Sequence, residues 1–168
     1  MRKFSFSLLV VFTLLGNIAA QKIEQAPWET LAPEGAGFTV SVPAAATEKI
    51  DKKTSYTMHA FTVTVGRATY VASYSDYVPG KLDPKTALTA NRDKFNKSLQ
   101  ATLTSSREIT IDDHTGIEFT SETPAHNVKS QVFLIGDRMF QTVALVYKDA
   151  DETRNVNRFF DSFKFTPK

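Results

Sequence analysis

The stretch that decides the fold is His126-Asn127-Val128-Lys129-Ser130-Gln131-Val132-Phe133-Leu134-Ile135-Gly136-Asp137-Arg138-Met139-Phe140-Gln141-Thr142-Val143-Ala144-Leu145-Val146-Tyr147. Gly136–Asp137 is a tight-turn pair between two runs of strand length, residues 126–135 and 138–147. Successive side chains of a strand point to opposite faces. Val132 and Leu134 oppose Phe133 and Ile135, and Val143 and Leu145 oppose Ala144 and Val146. Both strands are therefore apolar on both sides, and such strands are covered on both sides. The expectation is an α+β fold: an antiparallel sheet of about six or seven strands with a helix packed on each face.

Upstream, the same logic yields a second hairpin. His59, Phe61, Val63 and Val65 share one side, with Met58, Ala60, Thr62 and Thr64 opposite. Gly66–Arg67 puts glycine first, as a type II′ turn requires. Ala68, Tyr70, Ala72 and Tyr74 continue on one face of the return strand. Ile109 and Ile111 mark a strand, Asp112-Asp113-His114-Thr115-Gly116 a turn, and Ile117 and Phe119 its partner. Phe38, Val40 and Val42 alternate with Thr39 and Ser41 up to Pro43, a further short strand. Residues 21–37 read as an irregular lead-in anchored by Trp28 and Leu31, and residues 44–53 as a polar, alanine-rich loop. The domain proper is assigned to residues 38–168.

Two helices complete the pattern. Asp83–Pro84 reads as an N-cap followed by proline in the first turn. Leu88, Asn91, Phe95 and Leu99 then recur at helical spacing, predicting a helix from Pro84 to Gln100 with a narrow apolar stripe. After Asp151, Val156, Phe159, Phe160 and Phe163 give a second, strongly apolar stripe. The seven prolines all fall between these segments, where neither a ladder bond nor a helix interior is interrupted.

The first twenty residues have the order of a secretory signal peptide. Arg2 and Lys3 are basic, Phe4 to Leu15 are mainly apolar, and Ala19 and Ala20 supply the small residues before a cut after Ala20. The run is shorter than the ~20 apolar residues of a membrane span. Without Arg2 and Lys3, 18 Lys+Arg stand against 18 Asp+Glu. The roughly 148 residues left are a common size for one domain. The expected product is an exported protein, periplasmic or extracellular, with no membrane span in the mature chain. It carries no charge excess that would recruit nucleic acid.

The chain has no cysteine, which excludes disulfides, thiol nucleophiles and iron–sulfur ligation. It has no Gly-x-Ser-x-Gly, no His-Glu-x-x-His and no phosphate-cradling glycine loop. No cofactor is expected. His59 and His126 read as packed or strand-edge residues. Asp112, Asp113 and His114 form the densest polar cluster. They are candidates for a divalent metal or, as the alternative function, for an envelope hydrolase using Asp/His groups, although aspartates also suit the turn itself. Asn96-Lys97-Ser98 is a glycosylation sequon inside a helix. Tyr70, Tyr74 and Tyr77 are the candidate ligand-binding residues, since tyrosines near a strand end can line a groove. The competing and simpler reading is that they pack beneath the Pro84 helix.

The ordered motifs resemble a known family. They are Trp28 with Leu31 before Gly37-Phe38-Thr39-Val40-Ser41-Val42-Pro43, then Tyr74-Ser75-Asp76-Tyr77-Val78-Pro79 before a helix. Ile109, Gly116 and Glu118-Phe119 follow, then Arg138-Met139-Phe140 and Arg158-Phe159-Phe160-Asp161-Ser162-Phe163. This pattern is similar to the small exported PsbP-like domains of bacteria. The resemblance implies an α/β/α sandwich and a binding or accessory role, not catalysis. It carries no catalytic residues over. The partner it implies is an envelope protein or a small apolar ligand held between sheet and helix.

Overall fold

A computed structural model describes residues 27–166. The signal segment at residues 1–20 lies outside the described residues. The elements run β1 (Glu29–Leu31), β2 (Phe38–Val42), β3 (Thr47–Lys52), β4 (Tyr56–Val65), β5 (Ala68–Tyr77), α1 (Ala87–Leu99), β6 (Thr102–Ile111), β7 (His114–Glu122), β8 (His126–Ile135), β9 (Arg138–Tyr147), α2 (Thr153–Asp161) and β10 (Lys164–Phe165).

Seven strands form one antiparallel sheet in the order β3-β4-β5-β9-β8-β7-β6. The expected hairpins are all present. Gly66 and Gly136 take φ +57° and +60° at the first turn positions. The Asp112–Asp113 turn has positive φ at both residues, 48° and 65°. Two left-handed central residues match the right-handed twist of flanking strands, and aspartate tolerates that region better than most side chains.

Four sequence expectations need correction. Residues 44–53 are not a loop throughout: Thr47–Lys52 is edge strand β3. Its single apolar residue, Ile50, gives no alternation to read, and its charges suit an unpaired sheet edge. The lead-in is not wholly irregular, because β1 lies in it. The Phe38–Val42 strand does not join the main sheet. It is the middle of a separate three-stranded sheet, β1-β2-β10. Finally, α1 starts at Ala87 rather than Pro84. The Asp83 carboxylate accepts the Lys85 N–H at 3.1 Å and the Thr86 hydroxyl at 3.0 Å, holding residues 84–86 in a turn ahead of the helix.

Two apolar clusters hold the layers together. The larger contains Phe38, Val40, Val42, Phe61, Val63, Tyr70, Tyr74, Phe133, Phe140, Phe159, Phe160 and Phe163. It joins the small sheet and α2 to the main sheet. Phe163 stacks on Phe38 and Phe133, with ring centroids 5.6 and 6.1 Å apart. The smaller joins Ala87, Leu88 and Phe95 of α1 to Phe119, Val132 and Met139. Neighbours on one strand divide between the clusters: Val132 against Phe133, and Met139 against Phe140. This division is the physical form of the doubly apolar strands.

Candidate functional site

The position of α1 creates a largely apolar groove that one predicted residue, Tyr77, lines. Phe95 meets Phe119 edge-on at 5.9 Å. Asn96 is buried, and its Oδ1 accepts a hydrogen bond from the Ser121 hydroxyl at 2.8 Å. These contacts seat α1 over β7 and β8. The surface of β4, β5 and β9 beside the helix stays open as a groove of about 360 Å³. Tyr56, Met58, Tyr77, Leu82, Phe95 and Met139 supply its apolar walls. Asn91 and Lys94 line it from the helix, and the Asn91 Oδ1 is buried without a partner among the described residues. The same Asn96–Ser121 bond buries the sequon asparagine, so the folded domain does not present it for glycosylation.

The three candidate tyrosines do not converge. Tyr77 is the last residue of β5 and lines the α1 groove, with Tyr56 at 5.2 Å between ring centroids. Tyr70 and Tyr74 belong to the α2 cluster. Tyr74 lies between the His59 ring, stacked at 4.6 Å, and the Arg138 guanidinium at 4.5 Å. Arg138 also donates to both carboxylate oxygens of Asp76 and to the carbonyls of Gly35 and Ala36, tying the loop before β2 to the sheet. Tyr70 packs against Trp28 and Phe159 and borders a cavity of about 130 Å³. Burial, then the charge of Glu152, pushes its hydroxyl up to about 12. Burial likewise raises Tyr74 and Tyr77.

The polar turn is engaged in structure. Asp112 Oδ2 accepts the Phe165 N–H at 2.9 Å, which fixes β10, and the His114 ring meets Phe165 edge-on at 4.9 Å. Among the described residues, no group of three or more His, Cys, Asp or Glu side chains is placed to hold a metal ion. His59 Nδ1 lies 2.7 Å from Glu48 Oε1, and the His126 ring packs on Tyr147 at 4.3 Å. Both histidines are packed as strand residues.

One polar cluster was not singled out in the sequence. Glu118, 8% exposed, receives hydrogen bonds from Arg107 at 2.6 and 3.0 Å and from Gln131 at 3.0 Å, with Lys129 at 3.2 Å. Burial works to raise its pKa. The Gln131 and Arg107 hydrogen bonds and the Lys129 charge outweigh burial and hold the carboxyl below its usual range. Its signal in the sequence was thin: one glutamate in a strand, with partners 11 to 13 residues away on two other strands.

No helix among the described residues is long and apolar enough to cross a membrane. No family model matches the chain. No curated protein matches it either. Among solved structures, the chain is similar to cyanobacterial PsbP (CyanoP) from Synechocystis sp. PCC 6803. The TM-score is 0.62 at 13% identity, over 90% of this chain and 99% of that one. A structure from Bacteroides thetaiotaomicron aligns at TM-score 0.42 and 13% identity, over 86% of this chain and 50% of that one. The seven-stranded antiparallel sheet, the small sheet and the two helices, aligned over nearly the whole of the cyanobacterial domain, give this chain a PsbP-like fold.

Proposed function

We propose that the chain is an exported, non-enzymatic binding protein that holds a small apolar ligand between α1 and the β4-β5-β9 surface. The observation that carries this reading is the 360 Å³ groove walled by Tyr56, Met58, Tyr77, Leu82, Phe95 and Met139. Apolar walls with a few convergent polar groups are the usual make-up of a small-molecule site. Lys94 at the rim and the unpartnered Asn91 Oδ1 orient a ligand that carries a polar head. Tyr77 is the binding tyrosine, and Tyr70 and Tyr74 lie apart from the groove. The layer arrangement behind it is α/β/α, with α1 on one face and α2 with the small sheet on the other. The division of Val132 from Phe133 and of Met139 from Phe140 between clusters supports that arrangement. Export through residues 1–20, to the periplasm or beyond, agrees with a PsbP-like fold. It is checked by fractionating cells that express the chain with and without those residues.

The binding test uses N-phenyl-1-naphthylamine, whose emission rises in apolar surroundings. Titration should give a saturable rise. Ala90 is exposed and lines the groove, so Ala90→Trp should fill it and weaken binding at least tenfold without lowering Tm. A dye response that fails to saturate, or that Ala90→Trp leaves intact, refutes this site.

A further inference from the structure

A second cavity lies away from α1, where the β4–β5 turn meets α2. Trp28, Pro43, Ala44, Val65, Gly66, Tyr70, Glu152 and Asn155 bound about 130 Å³. A single water needs only ~10–15 Å³, so this is room for a small molecule. Its walls are apolar except at one end. There Glu152 presents a half-buried carboxylate, and Asn155 Nδ2 donates to its Oε2 at 2.7 Å. No lysine, arginine or histidine lies within ion-pair distance of Glu152 among the described residues. Glu152 Oε1 is left facing Gly66, where a Cβ would come within 3.9 Å of it.

A second observation points the same way. Tyr70 is only 2% exposed, yet its hydroxyl has no hydrogen-bond partner among the described residues. It feels the Glu152 charge directly. A buried polar group without a partner is costly, and so is a half-buried charge without a counter-ion. The Trp28 and Tyr70 rings meet at 66° with centroids 6.0 Å apart, forming two aromatic walls beside the carboxylate. One face of Trp28 is already covered by the Arg158 guanidinium at 4.7 Å from the ring centroid, so the attraction for a further cation comes from the Glu152 carboxylate and the Tyr70 ring.

We propose that this cavity is a binding site for a small primary alkylammonium. The ammonium N–H groups donate to Glu152 Oε1 and to the Tyr70 phenol oxygen. The short alkyl tail lies against Trp28, Pro43 and Val65. The site is separate from the α1 groove, and neither reading depends on the other.

Trp28 is the sole tryptophan of the chain, so its emission reports on this cavity directly. The experiment titrates the full chain with n-butylammonium chloride at constant ionic strength. A saturable change in Trp28 emission is expected. Glu152→Gln should weaken it at least tenfold, and n-butanol should produce none. The amide that replaces the carboxylate keeps an oxygen for Asn155, and Glu152 makes no side-chain cap bond to α2, so this variant should fold. Tyr70→Phe keeps the ring and removes only the hydroxyl. It should weaken binding severalfold, which serves as a second arm if Glu152→Gln is unstable. No saturable change, an equal response to n-butanol, or undiminished binding by both variants would overturn the proposal.

Discussion

Gly116→Ala is, among the described glycines, the substitution whose added methyl meets the tightest contacts. Gly116 pairs with Phe133 across β7 and β8. A Cβ on Gly116 would sit 2.4 Å from Phe133 Cδ1 and 2.4 Å from the Val132 carbonyl oxygen. Ordinary contact begins near 3.4 Å, so roughly an ångström of clearance is missing on two sides. Neither neighbour can yield cheaply. The Phe133 ring is fully buried and held by Phe163 at 6.1 Å and Phe165 at 5.2 Å. The Val132 carbonyl belongs to the backbone of a central strand. Overpacking costs about 1–3 kcal/mol, and a clash with fixed backbone belongs at the top of that range. At about 3 kcal/mol, a domain of this size should lose roughly 9–15 °C in Tm. Differential scanning calorimetry and urea unfolding of the two proteins measure it. Pairing Gly116→Ala with Phe133→Leu tests the cause. The ring half of the clash disappears, so the double variant should be more stable than the sum of the singles by about 1 kcal/mol. A loss under about 0.5 kcal/mol for Gly116→Ala would refute the reasoning, because it would mean that β7 can shift away from β8 at almost no cost.

Three further outcomes are expected. Asp113→Gly removes a side chain from a residue at φ 65° and should raise stability by about 0.5–1 kcal/mol in urea titrations. A decrease would show that the Asp113 side chain supports the turn. Asn96→Ala strands the buried Ser121 hydroxyl and should cost about 1–3 kcal/mol by thermal melt. An unchanged Tm would mean that α1 is not seated by that bond. Glu118 has its pKa lowered in the fold, so its contribution is present above the unfolded value of about 4.5 and is lost as pH falls through the lower folded value. Wild-type stability should therefore fall more steeply than that of Glu118→Gln as pH drops below about 4.5. Parallel curves would rule out this linkage.

Much of the fold was legible because period and turn chemistry agree locally. The hairpins around Gly66, Asp112–Asp113 and Gly136 each combine alternating runs with a turn that needs positive φ, and all three formed. What failed was legible only through partners. β3 carries charges where apolar alternation would be sought, since it needs to bury little and must discourage strand addition. β10 is two residues long and depends on distant partners: it pairs with β2, and Asp112, 53 positions earlier, accepts the Phe165 N–H. The three tyrosines illustrate the same limit. Parity along one strand separates Tyr77 from Tyr70 and Tyr74, and the fold then gives each a different neighbourhood.

By itself, then, the sequence determined the antiparallel sheet, its hairpins, two helices and central strands apolar on both sides, because side-chain period and glycine placement are local properties. Tertiary structure alone decided the small second sheet, the seat of α1 over β7 and β8, and the two cavities. Those depend on which distant residues meet: Asn96 with Ser121, Trp28 with Tyr70, and Glu152 with Gly66. Contacts across such separations are set by packing the whole chain at once, and no local pattern records them.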